Sequence, residues 1–312
     1  MWQLSSGIFL GWSLGANDAS NVFGTAVASR MVKFTTAAAL CSLFVVLGAL
    51  LEGQGGIDTY QRLSPMSANL AFIVGLSAGA TVALMSYWRL PVSTSQAVVG
   101  ALVLIGLIQS DLNASSLLKV VLCWVGTPIG AALATILLYY TVGKLLNLLY
   151  PTLFMFDRGL RWSLILAGSY GAYALGANNV ANVTGAFAGP GMLSPLQACL
   201  IGSLAITLGI LTYSQKVMYT VGRDLVHLDA YTAFISILSA AVTVHVYAII
   251  GVPVSTSQAI VGAVLGIGIL KGTRTIHSRT LWKILFGWIG TPAISAGVAF
   301  GVYQLFLLLK LI

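Results

Sequence analysis

Apolar residues fall in ten blocks, near residues 2–26, 34–51, 67–88, 92–108, 117–140, 163–187, 196–213, 230–250, 253–270 and 283–309, separated by short polar connections. Most blocks have the roughly 17–25 residues that cross about 30 Å of hydrocarbon as an α-helix. Apolar and polar positions do not alternate with period two, so the pattern predicts helices rather than an outer-membrane barrel. Inside two of these blocks the pattern is broken by a polar run. "LGANDASNVFG" (Leu14–Gly24) places Asn17, Asp18, Ser20 and Asn21 in the first block, and "LGANNVANVTG" (Leu175–Gly185) repeats it in the sixth.

Two further strings recur. "PVSTSQAVVGA" from Pro91 returns as "PVSTSQAIVGA" from Pro253, and "WVGTP" from Trp124 as "WIGTP" from Trp288. The shifts between copies are 161, 162 and 164 residues, so the chain is a tandem duplication. Residues 1–143 form the first repeat, 144–162 a short cytoplasmic linker, partly amphipathic, and 163–312 the second repeat. Each repeat holds five blocks, an odd number, so the second copy enters the membrane from the opposite side. If the third and fourth blocks of a repeat form a re-entrant hairpin, three crossings remain and the parity is unchanged. The expected fold is therefore an all-α integral membrane protein of two inverted-topology repeats, with discontinuous or re-entrant helices at its centre.

Composition agrees: 58% of residues are hydrophobic and 7% charged, outside the range of soluble domains. The first block has no basic stretch before it and carries polar residues at its centre, which marks a retained span rather than a signal peptide. The net charge of +8 changes the picture only through its placement. With the N-terminus outside, the inner connections hold Arg30, Lys33, Arg89, Lys144, Arg158, Arg161, Lys216, Arg223, Lys271, Arg274, Arg279 and Lys283. The outer ones keep Arg62, Lys119 and Lys310. The positive-inside rule thus places both termini outside, in a cell-membrane protein. No basic patch with interleaved aromatics occurs, so nucleic acid is not an expected partner. The lipid bilayer is the expected one, and a homodimer is compatible with the pattern. Cys41, Cys123 and Cys199 are odd in number and widely spaced within apolar blocks, as packing residues are. His227, His245 and His277 read as isolated groups in loops or at a block end, structural or solvated.

Asn17, Asp18 and Asn21 lie three and four residues apart, on one side of a helix, and so do Asn178, Asn179 and Asn182. Gly15 and Gly24 would let that helix unwind or let another backbone approach closely; if it unwinds, freed carbonyls with a carboxylate and amides would make an oxygen cage suited to Na⁺, with Asp18 its only formal charge. Such residues also glue helices together. A duplicated motif with a charge at mid-membrane favours function. In the P-V-S-T-S-Q copies, proline and hydroxyls open a short apolar block, so each reads as a helix N-terminus with unsatisfied N–H groups, favourable to an anion. Ser93, Thr94, Ser95 and Gln96, with Ser255, Thr256, Ser257 and Gln258, are the candidate anion site; plain capping is the competing reading. Arg89, just before the first copy, could draw in the anion or snorkel to the interface. "WVGTP" and "WIGTP" read as packing around a proline kink.

At these motifs the sequence resembles the inorganic phosphate transporter (PiT) family, whose signature is a duplicated G-A-N-D-V-A-N-A-like segment in inverted halves. The resemblance covers nearly the whole chain. It implies secondary transport of inorganic phosphate coupled to Na⁺ or H⁺, with no other cofactor. The cations would lie on the signature helices and phosphate between them and the Ser/Thr segments; some relatives carry sulfate. The chain departs from the family twice. Asn179 stands where the second signature has Asp, and Val45 and Ile206 stand where many members have a glutamate in the second helix of each half. A sulfate permease and, in a different class, an anion channel are the alternatives, but a channel needs no duplicated ion motif and inverted repeats suit alternating access. No nucleophile–base pair, His cluster or acidic metal motif points to an enzyme.

Overall fold

A computed structural model describes residues 2–87, 92–149, 152–189, 192–224, 229–272 and 278–312. Arg89, Pro91, His227, Arg274 and His277 lie outside the described residues. The chain is helical almost throughout: α1 (Leu4–Ala28), α2 (Phe34–Glu52), α3 (Gln54–Leu63), α4 (Ala68–Tyr87), α5 (Thr94–Gln109) and α6 (Ala114–Leu149), then α7 (Leu153–Thr184), α8 (Pro195–Thr212), α9 (Ser214–Asp224), α10 (Ala230–Ile250), α11 (Thr256–Lys271) and α12 (Ser278–Leu308). A 3₁₀ turn, Gly185–Phe187, extends α7. Six of the described helices contain a stretch long and apolar enough to cross a membrane: α2, α4, α6, α8, α10 and α12.

The ten apolar blocks all become helix, and two amphipathic helices, α3 and α9, fill connections that the hydropathy pattern leaves as loops. They are short, and polar residues break their apolar run, so length-based reading passes over them. The 144–162 segment is largely helical: α6 continues to Leu149 and α7 begins at Leu153, with Thr152 capping it by accepting from the Met155 N–H.

The two halves are built into each other. As α1 packs on α8, so α7 packs on α2; as α5 packs on α12, so α11 packs on α6; and α4 lies on α1 as α10 lies on α7. Paired glycines set these crossings. A Cβ on Gly15 would lie 1.9 Å from the Ile206 carbonyl oxygen, and one on the equivalent Gly176 would lie 2.0 Å from that of Val45. Gly100 and Gly262 meet the carbonyls of Pro292 and Pro128 in the same way, each at 2.3 Å. Close backbone approach through glycine is how helices pack tightly where lipid provides no hydrophobic drive between them. The W-V-G-T-P and W-I-G-T-P strings thus sit inside α6 and α12 and receive the glycines of α11 and α5.

α10 ends at Gly251, whose φ of +76° turns the chain out of the helix, and an extended segment leads to α11. At the far end of this pair, Asp229 caps α10 through the Thr232 N–H and takes a 2.5 Å bond from Lys271 at the end of α11. Burial opposes ionisation of Asp229, but Lys271 and the cap outweigh it and hold the carboxyl below its ordinary value.

Candidate functional site

The signature residues and the P-V-S-T-S-Q residues, distant in sequence, converge at one buried centre. Asp18, on α1, is 2% exposed and its two carboxylate oxygens take three bonds. Asn17 Nδ2 donates to Oδ1 at 3.0 Å; Asn179 Nδ2, from α7, and Thr256 Oγ1, from the first turn of α11, donate to Oδ2 at 3.0 Å each. Charged acceptors make the stronger hydrogen bonds, so this one carboxylate ties three helices together.

The duplication is visible in the bonding. Asn17 donates to Asp18, and Asn178 donates likewise to Asn179. Asn21 Nδ2 donates to Ser257 Oγ at 3.2 Å, and Asn182 Nδ2 to Ser95 Oγ at 3.1 Å. Every predicted residue on α1 and α7 therefore bonds within the centre. Ser95 also donates to the Val254 carbonyl at 2.8 Å, so the N-terminus of α5 touches the segment leading into α11.

The symmetry breaks at two points. Asn178 clamps the backbone of Val254, donating to its carbonyl at 2.7 Å and accepting its N–H at 3.1 Å. Among the described residues Asn17 makes no such clamp on Val92, the counterpart of Val254, and bonds to Asp18. Thr256 is spent on Asp18, whereas Thr94 Oγ1, its counterpart, is buried without a hydrogen-bond partner. Gln96 Oε1 and Gln258 Oε1 are likewise buried and unpartnered. Buried polar atoms are nearly always satisfied, so these three unpartnered atoms at the first turns of the same two helices leave hydrogen-bonding capacity open at the centre.

Ser93 and Ser255 behave as N-caps, their oxygens accepting the N–H of Gln96 at 3.3 Å and of Gln258 at 3.2 Å. The capping reading is thus correct for these two side chains, while Ser95, Thr256 and Ser257 bond to other segments. The expected unwinding of the signature helices does not occur. α1 and α7 run unbroken through their motifs, so the signature carbonyls stay inside the helix, and Gly15 and Gly176 serve close backbone approach, the other use open to the signature glycines. The free helix ends at the centre are those of α5 and α11.

Sequence reasoning missed three contributors. Tyr60, on α3, donates to Asn182 Oδ1 at 2.5 Å from a fully buried position. Only the fold brings α3 there, so no local signal marks it. The backbone of Val254 was equally invisible. His245 is a correction: it lies inside α10, with Nε2 2.7 Å from Glu52 Oε2, and is neither isolated nor at a block end. The polar contact that makes it tolerable in an apolar helix comes from another helix, which one-dimensional reading cannot see.

A small cavity adjoins the centre, and a larger one shares none of the site's residues. The first, about 20 Å³, is lined by Asn21, Thr256, Gly171 and Val244; the other, about 460 Å³ and open, lies between α3 and the start of α8, beside Asp58, Gln61, Met192 and Gln197.

Residues 14–299 match the model of the phosphate transporter family. A protein of Methanocaldococcus jannaschii provisionally named as a phosphate permease is 30% identical over 298 residues, covering 96% of this chain and 95% of its own. The sulfate permease CysP of Bacillus subtilis is 27% identical, over 96% of this chain and 86% of its own. Among solved structures, one titled the sodium-dependent phosphate transporter superimposes with a TM-score of 0.82 at 23% identity, covering 97% of this chain and 100% of that one. Its likeness establishes the fold. With a family match over nearly the whole length, apolar helices of spanning length and no enzyme among these relatives, the chain is a membrane protein and belongs to the phosphate transporter family.

Proposed function

We propose that the protein is a secondary transporter that imports inorganic phosphate across the cell membrane by symport with Na⁺ or H⁺, alternating access between two inverted repeats. The observation that carries this reading is the junction of Asp18 with Thr256. It joins the one buried carboxylate of the signature helices to the N-terminal turn of α11, so a cation drawn to the first and an anion drawn to the second sense each other directly. The anion would be held by the α5 and α11 N-termini with Thr94, Ser95, Thr256 and Ser257, and the cation by Asp18 with Asn17, Asn21, Asn178, Asn179 and Asn182. The exchanged pairing of α1 and α8 with α7 and α2, together with odd block parity, supports the inversion, and α4–α5 and α10–α11 are the candidates for re-entrant hairpins. The twelve inner against three outer basic residues support termini on the outside.

Sulfate is the second reading, supported by the match to CysP. The orphan acceptors favour phosphate over it. Gln96 Oε1 and Gln258 Oε1 need donors, which the hydroxyl of hydrogen phosphate supplies and sulfate at neutral pH lacks. Where a site is built for a donor, an analogue without it is strongly disfavoured. Full-length protein in liposomes, assayed for uptake of radiolabelled phosphate and sulfate with imposed Na⁺ and pH gradients, tests this. Concentration of phosphate driven by either gradient is expected. Passive equilibration insensitive to both would replace the symporter with a channel.

A further inference from the structure

The halves differ sharply where α2, α7 and α10 meet. There His245 places Nε2 2.7 Å from Glu52 Oε2 and Nδ1 2.7 Å from the Tyr170 hydroxyl. Tyr173, one turn further along α7, sets its ring edge-on to the imidazole at 5.4 Å and lies within hydrogen-bonding reach of Glu52. The duplication supplies an internal control. At the shifts that align the repeats, Tyr170, Tyr173, Glu52 and His245 correspond to Phe9, Trp12, Tyr213 and Ala83. The first three of those form an aromatic cluster, Trp12 lying 6.4 Å from the Phe9 ring and 5.6 Å from that of Tyr213. Yet the helix crossings are alike: a Cβ on Gly48 would meet the Tyr173 carbonyl, and one on Gly209 the Trp12 carbonyl, each at 2.0 Å. Packing is therefore achieved in one half with rings alone, and does not account for a carboxylate, an imidazole and a phenol in the other. Ionisable groups in membrane helices are costly and mark ion or proton pathways.

We infer that Glu52, His245 and Tyr170 form a proton-binding site, separate from Asp18, whose occupancy is coupled to anion transport; the inference rests on the transport reading above. Glu52 and His245 side chains are 34% and 19% exposed, so neither is sealed in the core. With His245 neutral, Nε2–H donates to the Glu52 carboxylate and Nδ1 accepts the Tyr170 hydroxyl proton. An added proton sits on Nδ1, which then donates to the Tyr170 oxygen, and the hydroxyl hydrogen turns to a new acceptor. The pair passes from one negative charge to none, and no covalent bond other than the new N–H changes.

Two helices carry that change to the anion site. Tyr170 and Tyr173 precede Asn178 on α7, and His245 precedes Gly251 on α10, beyond which Val254 is clamped by Asn178. The remaining elements around α10 bring other groups. α6 brings Cys123, with Lys119 one turn away, toward Tyr247; α3 brings Thr59 to the Gly251 carbonyl while its Asp58 lines the open cavity; α11 brings Lys271 to Asp229; and α1 brings Asp18, through Thr256. None of these is hydrogen-bonded to His245 among the described residues.

The test uses full-length protein in liposomes with a pH-sensitive dye in the lumen, following phosphate uptake and proton influx together from about pH 5.5 to about pH 8, the range in which imidazole ordinarily titrates. Wild type is expected to take up protons with the anion and to run faster under an inward proton gradient. His245→Gln and Glu52→Gln should each lose the proton influx and flatten the pH profile to a ratio of about one, since neither amide titrates. Tyr170→Phe, which matches Phe9 of the other half, should shift the profile without unfolding the protein. Unchanged proton influx and pH profile in His245→Gln would overturn the inference. Should that variant fail to fold, the His245 imidazole resonances of wild type decide: a ring that does not titrate between about pH 5 and 8 overturns it equally. If wild type takes up neither phosphate nor sulfate under any gradient, the transport reading fails instead, while the imidazole titration still reports whether the proton site exists.

Discussion

Replacing Asn179 by Asp is the most direct probe of the centre, because Asn179 Nδ2 sits 3.0 Å from Asp18 Oδ2. The substitution removes a donor to a charged acceptor, worth about 1.5–3 kcal/mol. It also sets two carboxylates side by side. With charge centres about 4 Å apart and an effective dielectric near 20, their repulsion is about 4 kcal/mol. The combined cost, roughly 5–7 kcal/mol, rivals the whole stability of an ordinary domain. It is relieved only if a cation or a proton occupies the gap. Asn179→Asp protein should therefore melt well below wild type in choline chloride at about pH 8, where protonation is suppressed, and recover as Na⁺ replaces choline at constant ionic strength. Saturation at a hundred times the dissociation constant would return about 2.7 kcal/mol. Wild type, in which Asn179 donates to Asp18 and brings no second negative charge, should respond much less. Thermal unfolding of detergent-purified protein measures both. If Asn179→Asp melts with wild type in choline and shows no added Na⁺ response, the two side chains are not neighbours and the centre is wrongly drawn.

Asp18→Asn should stay folded but lose gradient-driven uptake, since an amide supplies no charge for a cation; a folded variant that still concentrates phosphate at the wild-type rate would make the signature structural. Thr256→Val removes a bond to Asp18 and should weaken apparent anion affinity several-fold to about thirtyfold, or 1–2 kcal/mol, and lower the melting temperature as well. Thr94→Val removes an unpartnered hydroxyl, so it should weaken affinity while leaving melting unchanged; equal effects of the two on melting would deny the asymmetry. Gly15→Ala and Gly176→Ala should each destabilise by more than the usual 1–3 kcal/mol of overpacking, because backbone blocks the added methyl, whereas Gly301→Ala, with nothing within 4 Å, should not; differential melting checks this. Asp229→Asn should cost at most about 1 kcal/mol, as expected for an exposed pair, and the contribution it removes is present above the ordinary carboxylate range and lost as pH falls through the depressed value; stability curves at neutral and acid pH, with and without salt, test it.

The sequence by itself determined the helical membrane class, the duplication, and which residues gather at the centre. Apolar block length is set by bilayer thickness, and repeated polar strings inside apolar blocks are too costly to be neutral, so both are legible in one dimension. It also determined that the second signature lacks its carboxylate, since that is a matter of identity at Asn179. Tertiary structure alone decided the use of each group. For Gly15 the sequence left unwinding and close approach both open, and the structure decides for close approach, because only the crossing helix shows what a Cβ there would strike. Ser93 and Ser255 became caps while Ser95 and Ser257 receive the asparagines of α7 and α1, a division among like residues that depends on where α5 and α11 point. Tyr60 and His245 carried no local signal, for their partners Asn182 and Glu52 lie 122 and 193 residues away, and a hydrogen bond between such groups exists only once the chain has closed around them.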